Sequence, residues 1–323
     1  MQPRPKRFLK YLLTIAIILL PVLVFTQRLK LFDEWRLYNY QAPAAIVKLA
    51  DNTTMVQSMR RLFYVYHPEI ENKTDFNAHC RDDEQTIVLG CYVDGKGIYI
   101  FDVTDDRLAG IEEVTAAHEA LHAVYERLSS SERKKVDAMT AAAFAQLSDQ
   151  GIKDRIELYR KQDPKVVPNE LHSILGTEDA NLPTDLETYY QQYFSNRAKI
   201  VAYAAAYSGA FTDRKNQIAA YDAELSSLKT QINKLQSQLT SEQNGLETRR
   251  SQLDSLRSSG QTSAYNAAVP GYNAQVVTYN NHINQLSDLI DEYNSIVPKR
   301  NELATEEESL VKAIDSRDVP SKQ

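Results

Sequence analysis

At 323 residues the chain has room for about two domains of roughly 150 residues each. Its 43% hydrophobic and 25% charged residues match a folded protein and exclude a disordered one. A net charge of −6, with no basic patch interleaved with aromatics, excludes nucleic acid as a partner.

The first predicted element is N-terminal. Residues 8–26, FLKYLLTIAIILLPVLVFT, are apolar apart from Lys10 and a few weakly polar side chains. At ~1.5 Å per residue the run matches the ~30 Å hydrocarbon core of a bilayer, so it reads as an uncleaved transmembrane helix. Arg4, Lys6, Arg7 and Lys10 outweigh Arg28 and Lys30, behind which stand Asp33 and Glu34. The heavier basic flank stays in the cytoplasm, giving a single-pass protein of the cell membrane with residues 27–323 on the far side. No small-x-small site follows the run, which argues against a cleaved signal peptide. Cys80 and Cys91 then lie outside the cytoplasm, where they either close a small loop or remain two buried thiols.

Residues 28–207 have mixed composition and read as one compact domain. Pro43 opens a short helix through Ala50. The runs 62–66 (LFYVY), 86–93 and 97–103 are β-branched and aromatic, and Asp94-Gly95-Lys96 joins the last two as a hairpin. A long amphipathic helix follows over about 110–128. Ser129 and Glu132 have capping-box spacing and announce another helix to about Leu147. Pro168 starts a helical stretch over 169–177, and residues 184–207 lead out of the domain as a helix. Strands followed by helices give an α+β fold with a short sheet.

From about residue 208 to 323 the pattern changes to heptads. Ile218, Leu225, Ile232, Leu239, Leu246 and Leu253 recur every seven residues, and so do Val269, Val276, Ile283, Ile290, Val297, Ala304 and Val311. Such repeats predict a coiled coil. The breaker-rich stretch SSGQTSAYNAAVPG between the series folds it into an antiparallel hairpin, and Pro298 is expected to kink the returning arm.

The residues that carry chemistry lie in the 110–128 helix, within VTAAHEALHAV. His118 and His122, four apart, project from one helical face and can share one tetrahedral ion. Glu119, about 100° round the helix, can face an open coordination position and serve as a base.

Here the sequence resembles the zincin metallopeptidases, over roughly residues 97–180. Thr115 before the motif and the uncharged Ala116, Ala120, Leu121, Ala123 and Val124 fit that family's extended pattern. Tyr125 and Leu128 stand where metzincins need Gly and His, and no methionine follows Met139, so the gluzincin branch is the better match. Asn169-Glu170-Leu171-His172-Ser173 resembles its NExxS/A ligand helix, which implies Glu170 as third ligand. Gluzincins often carry an acidic residue four positions later, and here that place holds Ile174; Glu178 is the alternative ligand, or a group that supports the ligands from behind. The resemblance implies one zinc ion held by His118, His122 and Glu170, with Glu119 as catalytic base in a small zincin-like domain. It also implies a strand ahead of the helix that pairs with substrate; residues 97–103 take that place or form an inner strand. His172, Tyr189 and Tyr190 are candidate oxyanion donors.

The expected function is zinc-dependent hydrolysis of extracytoplasmic peptides or proteins. The alternative is a membrane-anchored coiled-coil scaffold or adaptor with a structural or vestigial metal site. In either case the coiled coil offers a surface for a protein partner or for self-association, and residues 8–26 attach the chain to the membrane.

Overall fold

A computed structural model of the protein describes Val24 and residues 26–80 and 87–317. Three helices come first: α1 (Arg28–Leu37), α2 (Ala44–Asn52) and α3 (Gln57–Val65). Strand β1 (Glu69–Glu71), helix α4 (Lys73–His79) and strands β2 (Gly90–Val93) and β3 (Gly97–Phe101) follow. Helices α5 (Ile111–Arg127), α6 (Ser130–Gln146), α7 (Gln150–Gln162), α8 (Val167–Glu178) and α9 (Thr184–Tyr190) complete the region around the site. Two long helices, α10 (Arg197–Ser258) and α11 (Thr262–Ile314), come last.

The α+β class is corrected: the fold is mainly helical, and among the described residues there is one sheet, of strands only three, four and five residues long. Residues 62–66, expected as a strand, close α3 instead. Met59 and Phe63, one turn apart, bury fully on one helical face, and packing overrides the β preference of the run. The sheet order is β1-β3-β2, parallel on one side of β3 and antiparallel on the other. Residues 97–101 are therefore the buried central strand, and β2 is the strand beside the site. Residues 8–23 and Phe25 lie outside the described residues, and among those described no helix is long and apolar enough to cross a membrane.

The sheet and α1–α9 pack round α5. Its four alanines, Ala116, Ala117, Ala120 and Ala123, are fully buried, so neighbours approach its backbone on several sides. At the end of α5 the chain turns and Ser129 caps α6 with both bonds of a capping box. Cys80, at the end of α4, forms a disulfide with Cys91 of β2.

The described residues form two compact units, the first reaching Gly209 and including those from Lys312, the second Ala210–Val311. The second unit is an antiparallel helical hairpin. Arg214 pairs with Glu306 at 2.9 Å, Asp222 with Arg300 at 2.8 Å, and Glu242 with His282 at 2.9 Å, partner numbers falling as the first rise. Leu228, Leu235, Leu239, Leu253 and Ile296 are buried along the seam, whereas Ile283 and Ile290 remain largely exposed because two helices can cover only one stripe. The breaker-rich stretch is shorter as a turn than its composition suggests: Gly260, at φ +70°, makes the reversal, and Pro270 and Gly271 lie within α11.

Candidate metal centre

Helix α5 aims both imidazoles into a cleft of about 990 Å³. The Nε2 atoms of His118 and His122 are 3.0 Å apart and their rings are nearly perpendicular. Glu170, in the first turn of α8, places Oε2 3.6 Å from His118 Nε2 and Oε1 3.5 Å from His122 Nε2. The carboxylate of Glu119 also has an oxygen within 4.8 Å of both ring nitrogens. Four residues from two helices thus meet at one point, although 48 residues separate His122 from Glu170 in the chain.

The environment suits a cation. Glu170 Oε2 is buried without a hydrogen-bond partner, a costly arrangement for a carboxylate oxygen unless a positive charge faces it. Burial alone would raise the Glu170 pKa; the adjoining His118 and His122 imidazoles, with Arg155, outweigh it and hold the carboxyl below its ordinary value. Two nitrogens and a carboxylate oxygen are a donor set zinc accepts, and edges of 3.0–3.6 Å bracket the roughly 3.3 Å expected between donors at ~2.0–2.1 Å from a tetrahedral ion. Glu170 is taken as the third donor because its carboxylate carries the orphaned buried oxygen, which leaves Glu119 as the base.

His122 is set from behind. Its Nδ1 lies 2.9 Å from Asn169 Oδ1 and 3.2 Å from Ser173 Oγ, so the ring hydrogen sits on Nδ1 and the Nε2 lone pair faces the cleft. Asn169 is itself oriented by its amide nitrogen, which donates to Glu126 Oε1 at 3.5 Å. Asn169 and Ser173, one helical turn apart, flank Glu170 and both turn toward the same imidazole. Sequence reasoning assigned neither a role. It looked for an acidic orienting group at position 174, where Ile174 is buried in the core.

Two glycines permit the assembly. A Cβ on Gly90 of β2 would fall 2.4 Å from Thr115 Cγ2 and 2.9 Å from the Glu119 side chain, so only glycine lets the strand close on the base. A Cβ on Gly176 of α8 would fall 2.5 Å from Leu121 Cδ1, so glycine there lets α8 approach α5 closely.

The other candidates are placed elsewhere. Glu178 lines the cleft but its carboxylate is engaged by Arg155 at 2.5 Å. His172 is fully buried, its Nε2 against the Tyr189 hydroxyl at 2.9 Å, and the Tyr190 hydroxyl donates to the His172 carbonyl. Burial, aided by the nearby His122 and His118, pushes the His172 pKa down to about 3, keeping it neutral. None of these three lines the cleft, so none is placed to meet a substrate oxyanion. His67 stacks on Tyr40, and His79 stacks on Tyr99 at the cleft lining; neither belongs to the candidate metal group.

Scanned against protein-family models, curated proteins and solved structures, the chain matches none.

Proposed function

We propose that the protein is a zinc-dependent peptidase, similar in its site to gluzincins, that cleaves peptides or proteins outside the cytoplasm. The carrying observation is the convergence of His118, His122 and Glu170 donor atoms within 3.0–3.6 Å, one carboxylate oxygen buried and unpartnered, beside a second glutamate. His118, His122 and Glu170 would hold the ion. Zinc, when bound, supplies Lewis acidity to a scissile carbonyl and brings the pKa of a water toward ~7.

The chain's own groups do the rest. Glu119 accepts a proton from the attacking water and delivers it to the departing amine, so that one water is consumed and one peptide bond broken. Asn169 and Ser173 hold the His122 ring in the tautomer that presents a lone pair. β2 lines the cleft, and its extended backbone is suited to lie beside a substrate strand. The disulfide and the apolar run 8–26 support attachment to the cell membrane with the site in a non-reducing compartment.

The test is metal analysis of the full chain in detergent, followed by cleavage of a mixed peptide library. One zinc per chain and chelator-sensitive cleavage are expected. Glu119→Gln should keep the zinc and lower turnover by about 10²–10⁴-fold. Undiminished cleavage by that variant would remove Glu119 from the reaction; zinc with no cleavage of any peptide would favour a scaffold with a structural site.

A further inference from the structure

Helix α1 is firmly fixed to the fold, yet it buries no residue. Leu31 and Trp35, one turn apart, are 51% and 69% exposed, and Tyr38 at the C-cap extends the same face at 78%. The opposite face packs Phe32 and Leu37 on the core. Arg127 donates to both carboxylate oxygens of Asp33 at 2.7 and 2.8 Å, and Arg36 donates to the carbonyls of Val65 and Lys96 at 2.9 and 2.6 Å. These bonds reach both walls of the cleft: Arg127 ends α5, and Lys96 lies in the turn joining β2 to β3. The exposed face is therefore rigidly linked to the helix that bears His118 and His122.

Single exposed apolar residues are common, but a leucine and two aromatics aligned on a pinned helix form a patch that calls for a cover. Three observations point to a bilayer. The apolar run 8–26 ends two residues before α1 begins. Trp and Tyr are the side chains that settle at headgroup depth, with an apolar ring and a polar tip. Near the end of α1 that follows the run, the exposed Lys30 offers positive charge to lipid phosphates, while the Glu34 charge is taken by Arg61 at 2.9 Å.

We propose that Leu31, Trp35 and Tyr38 lie in the headgroup layer of the membrane and so fix the direction in which the cleft faces the bilayer. This leans on the membrane attachment proposed above and is independent of the chemistry at the metal centre.

Trp35 is the chain's single tryptophan, so its emission reports this face alone. The full chain is reconstituted into vesicles of phosphatidylcholine and phosphatidylglycerol, with and without bromine on the phosphatidylcholine acyl chains. Blue-shifted emission, most of it lost to brominated lipid and little to aqueous acrylamide, is the expected result. Flotation with the vesicles but water-like emission open to acrylamide would sink the proposal while leaving membrane attachment intact. Blue-shifted emission indifferent to bromine would sink it too, since protein and not lipid would then cover the face. A chain that does not float with vesicles overturns attachment and proposal together, without touching the peptidase reading. Moving the reporter one turn, with Trp35→Phe and Leu31→Trp together, should reproduce the bromine quenching.

Discussion

The unit that carries the metal centre and the hairpin of residues 210–311 obtain their order in opposite ways. In the first, buried and half-buried polar groups are tied to partners far away in the chain: His122 to Asn169, Arg127 to Asp33, and Arg197 to the carbonyls of Leu175 and Asp179. In the hairpin, a narrow apolar seam holds two helices, and hydroxyls such as those of Thr230, Thr240 and Thr278 return to the carbonyl four residues back. The difference is chemical as much as structural. A site needs polar side chains fixed from several directions away from water, which a two-helix seam cannot supply.

The sharpest way to break this comparison is to remove matched volume from each unit. Leu186 is fully buried in the core, and Leu186→Ala should fall at the high end for its type, about 4–5 kcal/mol. Leu253 keeps 9% exposure on the seam, and Leu253→Ala should fall at the low end for its type, about 2 kcal/mol. Denaturant unfolding of both variants measures the difference. Equal losses would show that the seam is packed as a core is, and the contrast would fail.

The same contrast explains what could be read from sequence. The heptads and the HExxH spacing are local and periodic, so helix geometry alone places Leu228 and Leu235 on a seam and His118 beside His122. Ser129 and Glu132 announced their cap for the same reason. The sheet was overestimated because LFYVY carries β-forming residues whose helical periodicity emerges only when Met59 is counted with Phe63. Helix α7 went unread, its apolar residues Ile152 and Ile156 being too sparse to mark a face. The two bonds from α8 to His122 bring together residues 47 and 51 positions apart. The need for glycine at position 90 arises from a helix some 25 residues on. No local pattern encodes either.

A second, finer test concerns whether those distant partners serve the metal centre. Asn169→Ala removes the closer acceptor that orients His122 and should weaken zinc binding about 10–100-fold, read by competition with a zinc-sensitive chelator dye. Glu178→Ala should leave affinity unchanged, because that carboxylate is committed to Arg155. Loss of zinc in Glu178→Ala, with retention in Glu170→Ala, would mean the site is built on the other carboxylate.

The smallest effect tests whether every buried polar group in the compact unit contributes. Tyr40 stacks on His67 with ring centres 4.3 Å apart, and its hydroxyl is buried with no hydrogen-bond partner. Burial, then the proximity of Tyr64 and Glu69, pushes its pKa up from 10 to about 12, against a smaller opposing effect of Arg36. A folded-state pKa above the unfolded one means that the unfolded chain releases this proton first as pH rises. The contribution is therefore fully present below pH 10 and is lost as pH climbs through about 12. Tyr40→Phe has no proton to release. Its stability near neutrality should equal or slightly exceed that of the parent, because an unpaired buried hydroxyl is removed. The gap should widen in its favour between pH 10 and 12, measured by chemical denaturation across that range. A variant markedly weaker at neutral pH would show that the hydroxyl has a partner holding it in place, and Tyr40 would then not be an unpaired buried group.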